Sequence, residues 1–132
     1  MTIKQLTVFL ENRTGRINEV AKILGAKGIN MKAFSMAETS DFGLLRLIVS
    51  EVDNAVRVLR DASFAVMLTD VVCISASNVP GSLSTILEKL AANDIFIEYM
   101  YAFSECETAN IVIRTNDLDR CIAVLNQCQC TL

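Results

Sequence analysis

The sequence predicts an α+β chain made of two copies of one β-α-β-β-α-β unit. Three observations lead there. The chain matches itself at one gapless offset, the one that lays Gly15 on Gly81. Within each copy the apolar spacing changes from strand period to helix period and back. Turn-forming residues also fall at the same places in both copies. This element order is the ferredoxin-like split motif, four antiparallel strands with two helices on one face. The expected repeats are 1–69 and 70–132, paired into one antiparallel sheet with the helices on one face.

The first strand of each copy is read from Leu6, Val8 and Leu10, and from Val72, Ile74 and Ala76. A helix follows. Ile17, Val20, Ala21 and Leu24 fall on one helical face, and their partners at the offset are Leu83, Ile86, Leu87 and Leu90. "INMKAFSMAE" and "IFIEYMYAFS" read as second strands, entered at Ile29 and Ile95. Third strands carry Leu45, Leu47 and Val49 in one copy and Ile111 and Ile113 in the other, after the turns "TSDFG" and "ECETA". The second helices bury Val52, Ala55, Val56 and Leu59, matched by Leu118, Cys121, Ile122 and Leu125. Ser50 with Asp53, and Asn116 with Asp119, read as their N-terminal caps. The long run "FAVMLTDVVCISAS" is expected to divide near Thr69 and Asp70. The second copy runs out before its last strand, so that strand is abridged and leaves an edge for something else to cover.

Composition excludes several classes. With 132 residues, 52% hydrophobic and 20% charged, the chain can bury a core. A net charge of −3 argues against nucleic acid, whose binding depends on neutralising phosphates with Lys and Arg. No apolar run reaches the ~18 residues of a membrane span, and "LTVFL" is too short for a signal peptide, so the expectation is a cytoplasmic protein with no membrane partner. Histidine is absent, which removes the commonest general base and neutral metal ligand. Five cysteines without an export signal read as reduced thiols, and the "CQC" pair alone is a weak metal signal. Neither a cofactor nor a metal is expected. The acids Glu98, Glu105 and Glu107, and Ser82 with Ser84, lack the base or nucleophile partners that catalysis needs. Arg46 and Arg114 read as residues of a solvated sheet face.

The turn from first strand to first helix is where a ligand reading arises. It holds Asn12, Arg13, Thr14 and Gly15 in one copy and Asn78, Val79, Pro80 and Gly81 in the other. A plain turn accounts for it, with Asn capping the helix and Gly bending the chain. The same turn also puts free helix amides and a positive dipole end where a carboxylate can sit, beside an Asn that both donates and accepts. An amino acid has the charges for both.

"FLENRTGRINEVAKILGAKGINMKAFSM" and "ISASNVPGSLSTILEKLAANDIFIEYMYA" resemble the ACT domain, a small regulatory module that binds amino acids. Each has a strand, an N-R-P-G-type turn and a helix, and the first continues into G-[IV]-N at the second strand. The resemblance implies a tandem pair and a non-enzymatic role. It implies that Asn12 and Asn30 contact ligand from opposite sides of an interface, one unit giving its turn and the other its second strand. The implied ligand-binding set is Asn12, Arg13, Thr14, Gly15, Arg16, Ile17, Asn30 and Met31, with Asn78, Val79, Pro80, Gly81, Ser82 and Leu83. The second copy departs from the pattern by having Phe96 where the first has Asn30, and the first by having Thr14 where the second has Pro80. The implied partners are a free amino acid, a second copy of the chain, and a separate enzyme or transporter regulated in trans. The alternative is a dimerisation module without ligand, its pocket filled by Phe96, Tyr99 and Tyr101.

Overall fold

A computed structural model describes residues 2–38, 41–105 and 107–127. Its elements run β1 (Thr2–Glu11), α1 (Arg16–Ala26), β2 (Met31–Glu38), β3 (Phe42–Val49), α2 (Val52–Asp61), β4 (Ala65–Ser77), α3 (Ser82–Ala92), β5 (Ile97–Glu105), β6 (Thr108–Thr115) and α4 (Leu118–Gln127). The α+β order of the repeated motif is therefore present. The chain divides into two compact units, Lys4–Thr69 in one, and Asp70–Leu132 with Met1–Ile3 in the other.

In the first unit β3 lies between β1 and β2 and is antiparallel to both, with Leu6 opposite Leu47 and Phe34 also opposite Leu47. Leu6, Val8, Leu10, Leu45, Leu47 and Val49 form one face, onto which Val20 and Leu24 of α1 and Ala55, Val56 and Leu59 of α2 pack. In the second unit β6 lies between β4 and β5, with Val72 opposite Ile113 and Met100 opposite Ile113. Its core repeats the plan with Val72, Ile74, Ile86, Leu90, Ile111, Ile113, Cys121 and Leu125. Burying a side chain of this size contributes about 1.5–3 kcal/mol, so these two clusters supply most of what holds each unit together. A bulge interrupts β2 between Met31 and Ala33, and β5 has one at the matching place between Ile97 and Tyr99.

Helix ends show why the repeats fold alike. At the end of α1, Ile29 N–H donates to Leu24 O at 2.9 Å and Gly28 N–H to Gly25 O at 3.1 Å. At the end of α3, Ile95 N–H donates to Leu90 O at 3.0 Å and Asp94 N–H to Ala91 O at 3.1 Å. Both are Schellman closures, in which the residue past the helix turns left-handed and the next apolar residue folds back on the core. Gly28 takes that conformation at φ 71°, and Asp94 takes it at φ 57°.

Several sequence expectations are corrected. The run 65–77 is one unbroken strand, not two, because no turn-forming glycine or proline interrupts its extended backbone. Strands β2 and β5 begin at Met31 and Ile97, two residues after Ile29 and Ile95, which the Schellman closures hold. Ser50 and Asn116 do not cap α2 and α4. Glu51 occupies the cap position of α2, and Asp117 Oδ1 accepts from Arg120 N–H at 3.1 Å at the start of α4. Ser50 and Asn116 instead clasp the entry to the second strands. Asn30 N–H donates to Ser50 Oγ at 3.0 Å while Ser50 N–H donates to Asn30 O at 3.1 Å. Phe96 N–H donates to Asn116 Oδ1 at 3.0 Å while Asn116 N–H donates to Phe96 O at 3.2 Å. A short polar side chain serves the nearest unpaired amide, and here that amide belongs to the neighbouring strand.

Candidate functional site

The turn ahead of the first helix has the same backbone in both repeats. Arg13 N–H donates to Glu11 O at 2.8 Å, Arg16 N–H to Arg13 O at 3.3 Å and Glu19 N–H to Gly15 O at 3.0 Å. The matching bonds are Val79 N–H to Ser77 O at 2.9 Å, Ser82 N–H to Val79 O at 3.3 Å and Thr85 N–H to Gly81 O at 3.1 Å. Gly15 and Gly81 both sit at φ 90° and occupy the cap positions of α1 and α3. The cap is thus the glycine, not Asn12 or Asn78, because only glycine takes this conformation without strain. No atom lies within 4 Å of where a Cβ would project from either glycine. Apart from the Arg16 and Ser82 amides, which bond back to the turn, the first-turn amides of α1 and α3 have no intrahelical partner and open here with the positive end of the dipole.

Each turn borders a cleft. The first has a volume of about 360 Å³ and is lined by Leu10, Glu11, Asn12, Arg13, Thr14, Arg16 and Ile17, with Met36 and Glu38 from the end of β2. The second, about 210 Å³, is lined by Ala76, Ser77, Asn78, Val79, Ser82 and Leu83, with Met100 and Ala102 from β5 and Ala109 and Ile111 from β6. Both fall below or near the lower end of the ~300–1,000 Å³ typical of drug-sized ligands, a size that suits a small metabolite. Gly15, Pro80 and Gly81 shape the turns without lining the clefts.

The first cleft is electrostatically crowded. Arg13 pairs with Glu11 at 3.4 Å, and Arg16 approaches Glu11 at 4.0 Å and Glu19 at 2.5 Å. Only 15% of the Arg16 side chain is exposed, and its guanidinium lies 4.3 Å from the centre of the Phe64 ring. That stacking fixes the guanidinium at the mouth of the helix. Serine occupies the equivalent position 82 in the second repeat.

The structure separates other expected members. Asn30 and Met31 line neither cleft. They stand at the start of β2, whereas Met36 and Glu38 stand at its end, and six residues of strand span roughly 20 Å. Phe96 is 66% exposed and lines neither cleft, and Tyr99 and Tyr101 are half-buried on the sheet face with Arg114 and Val112. Arg46 and Arg114 are half-buried on that helix-free side, and Arg114 donates to Asp70 O at 2.8 Å and pairs with Glu98 at 3.5 Å. Ile17 and Leu83, which the helical stripe assigned to the core, are 45% and 42% exposed and face the clefts.

Residues that the sequence reading passed over complete the linings. In the first cleft these are Leu10, Glu11, Met36 and Glu38. In the second they are Ala76, Ser77, Met100, Ala102, Ala109 and Ile111. Hairpin register held the signal. Gly43 lies opposite both Leu10 and Glu38, so the end of β2 must return to the turn after β1.

Among the described residues no cluster of metal-ligating side chains occurs. The "CQC" pair and Cys106 lie outside those residues. Cys121 is fully buried, and burial pushes its thiol above the usual range, with nearby Asp117 adding to the rise. Such a thiol is inert filler, not a nucleophile. No helix among the described residues is long and apolar enough to cross a membrane.

A repeated βαββα unit with a glycine-pivoted turn and a cleft at each first helix defines a class of regulatory module. The family model described as the ACT domain pair matches residues 1–130, and the chain belongs to that family. It is similar to the crystal structure of protein BT0572 from Bacteroides thetaiotaomicron, with 50% identity and a TM-score of 0.92 over 98% of this chain and 90% of that one. The fold is also that of the regulatory subunit of aspartate kinase from Thermus thermophilus, in a ligand-free form, at 13% identity and a TM-score of 0.66 over 96% of each chain. The corresponding subunit from Thermus flavus matches at 14% identity and a TM-score of 0.63, over 96% of this chain and 94% of that one. No curated protein matches the chain.

Proposed function

We propose that this chain is a cytoplasmic sensor of a free amino acid, without catalytic activity of its own. It would act on a separate enzyme or transporter through ligand-linked association. The observation that carries this reading is the turn itself. It is built twice with the same three hydrogen bonds and the same left-handed glycine, and each copy opens on a cleft beside a helix N-terminus. A carboxylate suits the free amides and dipole there, and the Asn12 and Asn78 side chains offer donor and acceptor to an ammonium and carboxylate together. Family membership supports the reading, and so does the regulatory role of the aspartate kinase subunits that share the fold.

Because Asn30 and Met31 stand far from the turn of their own unit, they can join a ligand only if they meet a turn other than their own, in this chain or in a second copy. A clamped ligand would then stabilise the paired form it binds. The non-binding alternative, a dimerisation module whose pocket is filled by Phe96 and the tyrosines, has less support, since none of the three lines either cleft. Isothermal titration against the twenty amino acids tests the proposal, together with mass spectrometry of small molecules released on denaturation. Heat from at least one, or a co-purified amino acid, is expected. Neither, with folded protein, would sink it.

A further inference from the structure

Among the matched positions at which the two clefts differ, one pair indicates what each can hold. In the first repeat, Gly43 of β3 has no side chain, and the Met36 methyl lies where a Cβ on Gly43 would go, with Met36 Sδ 3.6 Å from that point. The methionine of β2 thus folds across the glycine of β3 and forms the apolar floor of the first cleft. At the equivalent places the second repeat has Ala102 and Ala109, and both line its cleft. The long side chain is missing there, and the space beside it is walled by Leu83, Met100 and Ile111, with Ala76 at 1% and Ile111 at 4% exposure reaching down to the core. The first cleft is instead rimmed by Glu11, Arg13, Arg16 and Glu38.

From this we infer that the second cleft selects an amino acid with an aliphatic side chain, which takes the room that Met36 fills in the first, whereas the first cleft has no such preference. The inference rests on the amino-acid reading of the site. The fold supplies its own demonstration that a straight thioether chain fits against this pair of strands. Apolar surface that is half open to water in the free protein gains most from a ligand that covers it. A charged ligand side chain would lose its hydration against the methyl groups, with no charged side chain in the lining to replace it. The amino and carboxyl groups of the ligand stay at Asn78 and the amides of α3, as in the general reading.

The test uses the full chain with labelled methyl groups on Ile, Leu and Met, followed by NMR titration. The probes are leucine, methionine, alanine, aspartate, lysine and 4-methylpentanoate, the last an aliphatic acid without the amine. Leucine and methionine are expected to shift the Leu83, Met100 and Ile111 methyls and to bind at least about tenfold tighter than alanine, the usual scale for missing methylenes in an apolar pocket. Ala102→Met is expected to weaken leucine at least about tenfold, and Met36→Ala to give leucine a new response at Ile17 and Leu10. Both positions are exposed, so either variant should fold, and an unchanged melting temperature verifies it. Equal affinity for alanine and leucine, unchanged leucine binding by folded Ala102→Met, or amino acids shifting only first-cleft methyls would overturn the inference while leaving the amino-acid reading intact. A response to 4-methylpentanoate with none to any amino acid would keep the aliphatic selection and overturn the amino-acid reading. No shift with any probe would overturn both.

Discussion

The clefts of the two repeats share a backbone and little else. Around Gly15 and Gly81 the hydrogen bonds agree in partner and closely in length, yet one cleft is ringed by charge and floored by its own methionine, while the other is smaller and lined mostly by apolar side chains. Backbone geometry follows from a few residues of strong local preference, a left-handed glycine and the amides it frees. Ligand choice follows from side chains that point inward from the neighbouring strands, and these can diverge without disturbing the turn.

The largest expected effect tests whether the repeats are energetic equals below the clefts. Leu24 and Leu90 are 0% and 1% exposed and hold the same place on α1 and α3. Leu24→Ala and Leu90→Ala should each cost about 2–5 kcal/mol in urea unfolding. A cost under about 1 kcal/mol at either would show that its unit tolerates a cavity the other cannot. A smaller contrast lies at the Schellman closures. Gly28→Ala puts a Cβ into left-handed backbone and should cost about 1–2 kcal/mol, while Asp94→Gly relieves the same conformation and should stabilise by no more than that. Thermal melts that move the other way would break the equivalence of the two helix ends.

The smallest effect appears only in alkali. The folded Cys121 thiol ionises above its ordinary value of 9.0, so the unfolded chain loses that proton first. Its stabilising contribution is complete below pH 9.0 and falls as pH rises above it, because the native state then binds more protons than the unfolded one. Position 55, its counterpart, is alanine and carries no such dependence. Cys121→Ala should therefore flatten stability between pH 8 and about 10, and a curve of undiminished slope would place the titration elsewhere.

Much of the fold was legible because duplication let each apolar stripe be checked against its echo. The order of elements and nearly all core positions follow from that. Some features were less legible for identifiable reasons. Ile17 and Leu83 keep the helical period and still face a cleft, since periodicity reports a direction on the helix and not what lies beyond it. Ser50 and Asn116 look like caps in one dimension but serve an amide on another strand, twenty residues earlier in each repeat. Part of each cleft lining comes from strands brought back by hairpin register, so Met36 over Gly43 could be anticipated only by laying the strands side by side. The part of the candidate site visible in the sequence was the part contiguous in the chain.

Thr2 and Ile3 belong to the compact body made by residues 70 onward, and this has a consequence for the order of assembly. During synthesis from the N-terminus, residues 4–69 are complete and can condense while the body that needs Thr2 and Ile3 is still being made. Thr2 and Ile3 are made well before residue 70 yet find their partners only after it, across a sequence gap that makes this contact a slow one. Until residues 70 onward have been made, Thr2 and Ile3 stand at the head of the first repeat without the body they pack into.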